Sequence, residues 1–513
     1  MAEDTSSAPP RVRAPEFAGG LEWFNVGAPL AIRALRGKVV LLDFWTYGCV
    51  NCLHVLPDLK RLEEKYAREL VVIGVHSAKF TNERRADNLR HVIVRYDITH
   101  PVVNDAEFAI WKAYGARAWP TQVLIDPDGY VVATASGEGH AEAFDRAIGA
   151  VIHVFDEAHG IDRRPLQPSH ERDRLRTSTL AFPGKVLADE ASGRLFIADS
   201  NHHRVLVATL DGHVTDVIGP RAAGPAGTHD AGWTDGAFED ARFYRPQGLA
   251  LDDDVLFMAD TENHLVRAAN LTSRLVATVA GVGRPGVRGE PGGAALETPI
   301  SSPWDLVVSG RLLFVAMAGV HQIWMIDLDR RLALPYAGSG REARVDGPAD
   351  EAAFAQPSAL ALAASTLFVA DSESNVIRAV ELPPANRVRT LAGGDLFEFG
   401  DRDGRGDEVR LQHPLGIAWA GGCVYVADTY NHRIKVLDPA SRRVAVFAGR
   451  GVEGAADGTA AAATFYEPGG LSAAGDALFV ADTNNHAIRR IALSTGRTGT
   501  LALTGLEPGA PDR

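Results

Sequence analysis

Residues 39–52 read Val-Val-Leu-Leu-Asp-Phe-Trp-Thr-Tyr-Gly-Cys-Val-Asn-Cys and hold two of the three cysteines in the 513-residue chain. The apolar start predicts a buried strand, and the Cys-x-x-Cys end predicts a turn with a helix that begins at Cys52. A helix N-terminus lowers a thiol pKa, because its free N–H groups and its dipole favour the thiolate. The thiolate is the attacking species in disulfide exchange. The stretch therefore predicts a nucleophile, Cys49, with Cys52 as the resolving thiol.

Further residues around this pair fit the same chemistry. Asp43 lies in the apolar strand before Cys49, where a buried carboxylate can accept a thiol proton. Pro57 follows Cys52 by five positions, where it would kink the helix, and Ala118-Trp119-Pro120-Thr121 precedes a later apolar strand. Over about the first 157 residues the chain resembles the thioredoxin pattern D-F-W-x-x-x-C-x-x-C-x-x-x-x-P with a later cis-proline.

The resemblance implies a set of site residues. Pro120 would be cis and would face the cysteine pair, and Cys49 and Cys52 would form a redox-active disulfide. The catalytic residues would be Cys49, Cys52, Asp43 and Pro120, and the substrate groove would be formed by Trp45, Tyr47, Gly48, Trp119 and Thr121. One departure is Val50-Asn51 between the cysteines, where thioredoxin has Gly-Pro, so the redox potential does not carry over.

Two alternative interpretations of the cysteine pair stay open. A structural zinc site usually needs four ligands, and the chain has no second C-x-x-C; His54 is expected on the helix surface. A redox-inert thioredoxin relic often loses a cysteine, whereas both are present here.

Composition limits the classes of function. The formal net charge is −13, which disfavours nucleic-acid and anionic-membrane roles that need clustered positive charge. Residues 1–10 have neither a basic nor an apolar region of a secretory signal, and no apolar run is long enough to span a bilayer. The sequence predicts a cytoplasmic protein without membrane contact. A reducing cytoplasm favours a reductase over an oxidase.

The chain in order predicts several segments. Residues 1–20 are predicted to be flexible, residues 21–157 to form the thioredoxin-like domain, and residues 158–176 to be a linker. An extra helix at 82–96 resembles the redoxin-like branch of the thioredoxin fold. Residues 177–505 contain a repeat, and residues 506–513 are a predicted tail.

The repeat has the form A-D-[ST]-x-N-H. An earlier proline-led strand accompanies each unit, and six units resemble NHL repeats, which implies a six-bladed β-propeller. The fold class is therefore multidomain: an N-terminal α/β thioredoxin-like domain plus an all-β six-bladed NHL β-propeller. The copies begin at Ala198, Ala259, Ala427 and Ala481, with a weaker copy at Ala370 and a degenerate one at Ala316.

The residue types in the repeat suggest turn chemistry. Asp and Ser/Thr can bond backbone groups, and Asn tolerates the left-handed conformation. Histidines in these turns are predicted to be structural, with a metal-binding or catalytic set as the alternative: His203, His264, His432 and His486. Asp-Gly steps recur in the loops between blades, which suggests either a partner site on one face or ordinary turns. Cys423, in an apolar stretch, is predicted to be an inert core thiol.

The two halves together resemble the NHL repeat-containing protein 2 family. Because the chain stops soon after the sixth unit, the additional C-terminal β-domain of animal members is expected to be absent. The first functional hypothesis is a thiol–disulfide oxidoreductase whose propeller recruits a protein partner or substrate. The alternatives are a non-enzymatic scaffold or redox sensor, and a propeller enzyme with a channel metal. We predict no cofactor and no metal for the preferred hypothesis, and no oligomeric state follows.

Overall fold

A computed structural model describes residues 11–158, 160–166, 169–174, 178–221 and 231–506. The chain divides into two compact units between residues 175 and 176. The first unit is thioredoxin-like and the second is a six-bladed β-propeller, which confirms the predicted fold class. Within the described residues, no helix combines the length and apolar character that a membrane crossing requires.

The first unit is built on one mixed sheet. Its central strand pairs in parallel with the next strand along the chain and antiparallel with the sixth, and the spatial order is β1-β7-β6-β3-β4-β5-β2. The strands are Val12–Arg13 (β1), Trp23–Phe24 (β2), Val39–Trp45 (β3), Leu70–His76 (β4), Val102–Asn104 (β5), Thr121–Ile125 (β6) and Tyr130–Ser136 (β7).

Helices cover both faces of this sheet, so the central strands are apolar and buried throughout, as expected of a covered sheet. Odd-numbered residues of β3, such as Val39 and Leu41, face α1 and α4, while the even-numbered residues face the opposite core. The helices are Val50–Lys65 (α1), Ala86–Arg95 (α2), Ala109–Tyr114 (α3) and Ala141–Glu157 (α4). The helix α1 continues through Pro57.

The predicted helix over 82–96 is broken in the structure. Asn82–Arg84 forms a single 3₁₀ turn, Arg85 is extended, and α2 begins at Ala86. The break leaves Glu83 in a turn rather than on a helix face.

The two segments that flank this unit are more ordered than the sequence suggested. Residues 1–10 of the predicted flexible N-terminus lie outside the described residues, but Val12–Arg13 pairs with β7. In the predicted linker 158–176, the backbone of Asp162 bonds to Gly37, and the carbonyls of residues 162 and 164 accept bonds from Lys38. The structure therefore places the described part of that segment on the surface of the first unit.

The second unit consists of six antiparallel sheets, the blades. Blade 1 has strands Val186–Asp189, Arg194–Asp199, Arg204–Thr209 and Val214–Ile218. Blade 2 has Gly236–Ala237, Pro246–Asp252, Val255–Asp260, Leu265–Asn270 and Leu275–Ala280. Blade 3 has Gly293–Ala294, Pro303–Ser309, Leu312–Met317, Gln322–Asp327 and Leu332–Ala337. Blade 4 has Gly347–Pro348, Pro357–Ala363, Thr366–Asp371, Val376–Glu381 and Arg387–Ala392.

The last two blades follow the same plan. Blade 5 has Gly404–Arg405, Gly416–Ala420, Cys423–Asp428, Arg433–Asp438 and Arg443–Ala448. Blade 6 has Pro468–Ala474, Ala477–Asp482, Ala487–Ala492 and Thr498–Thr500. The short Gly-led strands of blades 2 to 5 are added at the outer edge.

The repeat histidines join neighbouring blades. In blade 1 the histidine His203 is left-handed, with φ 54°, and its Nδ1 accepts a hydrogen bond from the N–H of Arg245, 3.2 Å away in the chain leading into blade 2. His264, His321, His432 and His486 make equivalent bonds, and in blade 4 the Oδ1 of Asn375 replaces the imidazole. The structural role predicted for these histidines is therefore confirmed. The histidine, rather than the preceding asparagine, is the left-handed residue wherever the motif has both.

The repeat aspartates hold a buried ion pair. In blade 6, Asp482 Oδ1 accepts the N–H of Tyr466, while Oδ2 lies 2.7 Å from Arg489. Arg489 also contacts Asp457, the aspartate of an Asp-Gly step, at 2.7 Å. The same arrangement joins Arg267 to Asp260 and Asp235, and Arg378 to Asp371 and Asp346. The Asp-Gly steps of these three loops therefore serve the blades' own framework, which favours the turn interpretation over a partner site.

The degenerate third blade lacks both charges of the pair. Met317 stands in place of the aspartate, and Trp324 stands seven residues later in place of the arginine. Both side chains are buried in the apolar core between blades 2 and 3. An apolar pair therefore fills the space that the ion pair fills elsewhere.

A buried lysine spans the axis of the propeller. Lys185 of the first blade donates to the carbonyl of Ser358 at 3.0 Å and to the carbonyl of Leu415, and its Nζ lies 3.4 Å from Asp305 Oδ2. Gly248 leaves room for Asp305, because a Cβ there would come within 2.5 Å of the Asp305 Cα. A cavity of about 270 Å³ lies beside this pair, lined by the inner strands of the blades.

The end of the described chain returns to the first blade. Thr504 exchanges backbone hydrogen bonds with Gly212 and Val214 at 3.0 and 2.8 Å. The side chains of Leu501, Leu503 and Leu506 pack against the core shared by blades 1 and 6. Residues 507–513 of the predicted tail lie outside the described residues.

Candidate active site of the thioredoxin-like unit

The two cysteines lie at the junction between β3 and α1. Cys49 is the extended N-cap residue of α1, and Cys52 lies in its first turn, where its N–H donates to the Cys49 carbonyl at 3.1 Å. Both thiols are free; Cys49 is 7% exposed and Cys52 is fully buried. Burial raises the pKa of Cys52, and the neighbouring Cys49 and Asp43 raise it further. The structure therefore places Cys49 at the N-terminus of α1 and Cys52 in its first turn.

Asp43 lies on the α1 side of β3 and is fully buried. Neither carboxylate oxygen has a hydrogen-bond partner among the described residues. Burial raises the pKa of Asp43 to about 7, and His100 opposes this rise. A carboxyl with a pKa near neutrality beside a buried thiol fits a proton acceptor, which is the predicted role of Asp43.

A second buried carboxylate, Glu83, supports the turn before Cys49, and sequence reasoning missed it. Its Oε2 accepts from the Thr46 hydroxyl at 2.5 Å and from the N–H groups of Lys79 and Phe80 at 2.6 and 3.0 Å. Its Oε1 accepts the N–H of Gly48 at 2.8 Å. Burial raises the pKa of Glu83 to about 7, against these four hydrogen bonds. Glu83 thus fixes the Thr46–Gly48 turn that delivers Cys49.

Gly48 is required by this arrangement. A Cβ at this position would lie 2.8 Å from Glu83 Oε1 and 3.1 Å from the Phe80 ring. The side-chain-free position therefore lets the Glu83 carboxylate reach the backbone. Glu83 lies 35 residues from Gly48 in the chain, in the segment predicted to be an additional helix. No local sequence signal there indicates that its carboxylate bonds the turn before Cys49.

The Trp119–Pro120 peptide bond is cis. The next residue, Thr121, pairs with Phe44, which brings Pro120 level with the end of β3, directly before the cysteine turn. Trp119 is partly exposed and donates from Nε1 to the Ser77 carbonyl at 3.0 Å. The structure thus brings Pro120 and the cysteine pair to the same end of the neighbouring strands β6 and β3.

The predicted groove residues differ in exposure. Trp45 is fully buried and packs edge-on against His76, and the Thr121 hydroxyl is bonded to the Ala118 carbonyl and to Ser136. Tyr47 is 5% exposed and stacks on His76. Gly48 is buried as well, so Trp119 alone among the five presents substantial side-chain surface. The side chain of Trp45 belongs to the core beneath the site rather than to a groove.

Other candidate chemistry receives no geometric support from the described part of the chain. There, no group of three or more His, Cys, Asp or Glu side chains is placed to hold a metal ion. His54, suggested as a surface residue, instead pairs with Glu138 at 2.7 Å and has a side chain only 6% exposed. Cys423 begins a blade 5 strand and is partly exposed, so the prediction of a core thiol was wrong.

Comparisons with known proteins agree with both units. A thioredoxin-like family model matches residues 37–131, and an NHL repeat model matches residues 411–437. The NHL repeat-containing protein 2 of Bos taurus is 43% identical over 94% of this chain and 70% of its own length. The Arabidopsis thaliana protein SUPPRESSOR OF QUENCHING 1, chloroplastic, is 43% identical over 99% of this chain but only 50% of its own length. The Bacillus subtilis thiol-disulfide oxidoreductase YkuV is 22% identical over 27% of this chain and 93% of its own length.

Fold and site together define a class of protein in which a thioredoxin-like unit with a C-x-x-C pair precedes an NHL-repeat propeller. The identity to the cattle protein, which spans both units, narrows this class further. The chain belongs to the NHL repeat-containing protein 2 family.

Proposed function

We propose that this protein is a thiol–disulfide oxidoreductase whose propeller recruits a protein substrate or partner. The observation that carries the proposal is the placement of free Cys49 at the N-cap of α1, with Cys52 in the first turn of that helix and Asp43 close enough to Cys52 to raise its pKa. The similarity of the first unit to the Bacillus subtilis thiol-disulfide oxidoreductase supports it.

The reaction begins with the Cys49 thiolate. It attacks one sulfur of a substrate disulfide, forms a mixed disulfide and releases the first substrate thiolate. Cys52 then gives its proton to Asp43, and the Cys52 thiolate attacks the Cys49 sulfur. A Cys49–Cys52 disulfide forms and the second substrate thiolate leaves. A dithiol of the cell returns the protein to the reduced state.

The proposal also specifies the cellular compartment and the direction of thiol–disulfide exchange. A reducing compartment, the cytoplasm, keeps the Cys49 and Cys52 thiols free and makes reduction of the substrate the favoured direction. The propeller supplies a second contact surface, which makes capture of the partner by the cysteine unit effectively intramolecular.

Trapping tests both parts of the proposal. In Cys52→Ser the mixed disulfide on Cys49 persists, so captured proteins remain attached; the double variant Cys49→Ser/Cys52→Ser is the matched control. We expect partners with the first variant and none with the control. Equal recovery from both would remove the enzyme interpretation. Recovery of the same partners at the same yield by a 1–174 fragment would remove the recruiting role of the propeller.

One observation favours the alternative of a non-enzymatic scaffold. Cys49 is only 7% exposed, so a large disulfide substrate reaches its sulfur only by moving neighbouring groups. Reduction of a small aromatic disulfide by wild type, lost in Cys49→Ser, distinguishes a working pair from a covered one.

A further inference from the structure

Asp43 is enclosed on the α1 face of the sheet, so a proton that it takes from Cys52 needs a route to solvent. Asp43 is 0% exposed and Cys52 is 0% exposed. Each oxidation of the cysteine pair moves a proton from Cys52 to Asp43, and above the Asp43 pKa of about 7 the carboxyl then gives this proton to water. This route must pass through residues that neighbour Asp43.

Two buried nitrogens lie beside Gly74, the residue that pairs with Asp43. The register of the parallel strands sets Asp43 opposite Gly74, and Trp45 follows on the same face. A Cβ at Gly74 would lie 2.9 Å from Trp45 Nε1 and 3.3 Å from His100 Nε2. Both nitrogens are buried and, among the described residues, neither has a hydrogen-bond partner; the same holds for both oxygens of Asp43. Gly74 thus leaves open a space on the Asp43 side of the sheet in which the Trp45 and His100 nitrogens meet, and the Asp43 oxygens make no hydrogen bond to either nitrogen.

The other side of His100 leads outward. Its Nδ1 lies 3.1 Å from Glu63 Oε2, and the side chains are 4% and 24% exposed, respectively. A carboxylate accepts hydrogen bonds and does not donate them, so Nδ1 carries the imidazole proton and Nε2 is left as an acceptor. The acceptor nitrogen therefore faces the interior, and the donor nitrogen faces a carboxylate that reaches water.

We propose that His100 and Glu63 form a proton relay between Asp43 and solvent. After Cys52 transfers its proton to Asp43, a small movement of the two side chains brings the carboxyl into hydrogen-bond contact with His100 Nε2, which takes the proton. His100 Nδ1 then passes its own proton to Glu63, which releases it to water. Oxidation state does not change in the relay; one proton enters at Asp43 and one leaves at Glu63. The relay rests on the proposed function, since it serves the resolving step of disulfide exchange.

Three titratable groups contact or act electrostatically on one another along the relay. Cys52 of α1 and His100, in the segment before β5, face Asp43, and Glu63 of α1 faces His100. His100 opposes the rise in the pKa of Asp43, which places the imidazole within electrostatic reach of the carboxyl. The backbone of His100 is held separately, because its carbonyl accepts a hydrogen bond from Asn25 at 2.9 Å. Because its side chain is buried, His100 acts through Asp43 and not on the substrate.

The test isolates the resolving step in the full-length chain. In a Cys423→Ser background, dithiobis(nitrobenzoic acid) places a thionitrobenzoate on Cys49, and Cys52 then displaces the coloured thiolate at a measurable rate. The variants are His100→Gln and Glu63→Gln. The matched control is His54→Gln, which removes another His–Glu pair, formed by the buried His54 of α1 and the exposed Glu138, with an Nδ1-to-Oε2 distance of 2.7 Å.

We expect His100→Gln and Glu63→Gln to slow displacement about tenfold. Loss of a general acid or base itself typically slows a reaction by at least about a hundredfold, so the expected effect is smaller. His54→Gln should keep the wild-type dependence of rate on pH. Free imidazole should restore the rate of His100→Ala, which a purely structural role of His100 would not allow.

Two outcomes overturn the relay. If both relay variants displace thionitrobenzoate at the wild-type rate while Asp43→Asn is slow, Asp43 exchanges its proton by another path. If His100→Gln is slow but Glu63→Gln is not, and imidazole has no effect on His100→Ala, then His100 is structural. Absence of displacement in the wild-type background would contradict the proposed function itself, which separates that failure from failure of the relay.

Discussion

Two fully buried aspartates, Asp43 under the cysteines and Asp482 in blade 6, have opposite surroundings. Asp482 has a backbone N–H, the Asn485 amide and Arg489 as partners, whereas Asp43 has none among the described residues. Burial raises both pKa values, to about 7 for Asp43 and about 6 for Asp482. A buried acid with every partner in place holds a fold together, and one without partners costs stability and is available for chemistry.

The largest effect is expected on removal of the propeller acid. Asp482→Ala leaves Arg489 buried without its inner partner, so the free energy of unfolding of the propeller should fall by about 3–5 kcal/mol. Hydrogen exchange of blade 6 in a urea series measures this local loss. The variant Asp482→Met/Arg489→Trp, which copies blade 3, should lose less than the sum of the two single substitutions. Strict additivity would contradict the ion-pair explanation.

A gain in stability is expected at Asp43. Its pKa of about 7 lies above the value of 3.8 for an exposed aspartate, so the folded state holds a proton that the unfolded chain has lost between these pH values. The free energy of unfolding therefore falls as pH rises from about 4 to 7, and the penalty is constant above 7.

Asp43→Asn removes that penalty, on the order of 4 kcal/mol by the size of the shift. The amide left behind costs about 1–3 kcal/mol. The net gain should be about 1–3 kcal/mol at pH 8 and should become a loss of about 1–3 kcal/mol near pH 4, measured by urea unfolding of the first unit at both values. A variant equally stable at both pH values relative to wild type would show that Asp43 is ionised throughout.

A smaller loss is expected at Glu83, a buried acid that has partners although it lies in the active site. Glu83→Gln replaces one carboxylate oxygen by an NH₂ group, so either Gly48 or the cluster of Thr46, Lys79 and Phe80 loses its acceptor. We expect a loss of about 1–3 kcal/mol in the free energy of unfolding. The rate of attack by Cys49 on an aromatic disulfide should also fall, and thionitrobenzoate release in the first phase measures it. An unchanged attack rate would separate the turn geometry from Cys49 reactivity.

The smallest effect is expected at a repeat histidine. In blade 4 the Asn375 Oδ1 accepts the His413 N–H at 2.8 Å from the same left-handed position that His432 occupies in blade 5. His432→Asn should therefore change the free energy of unfolding by less than about 1 kcal/mol. His432→Ala should cost about 1–3 kcal/mol, because the Glu467 N–H then loses its acceptor. Equal losses for the two variants in thermal unfolding would show that the hydrogen bond is not what His432 contributes.

The parts of this molecule that sequence could predict are those with local or repeated signals. The C-x-x-C pair follows a continuous apolar run, and six spaced copies of one turn motif define the number of blades. Glu83, His100 and Glu63 could not be predicted, because their contacts depend on how an insertion folds back over α1 and β4. The burial of Trp45 was missed because its place in the motif says nothing about the face of β3 on which it lies.

In the repeats, residue types suggested the correct chemistry at the wrong position. Asn was expected to adopt the left-handed conformation, yet in blades 2, 5 and 6 it bonds the aspartate while the following histidine turns the chain. The preference of Asn for such positions is a local tendency. Here it yields to the hydrogen bonds that link one blade to the next, which no local window contains.

Lys185 joins blade 1 to blades 3, 4 and 5, which are not its neighbours in the ring. Blades 1 and 6 meet at the seam of the ring, and the last described residues cross this seam where Thr504 bonds to Gly212 and Val214. Opening this seam by swinging blade 1 outward would also pull Lys185 away from Asp305 and from the main chain of blades 4 and 5. The seam is thereby reinforced from the far side of the ring, in addition to the segment that crosses it, and the propeller resists opening at this place.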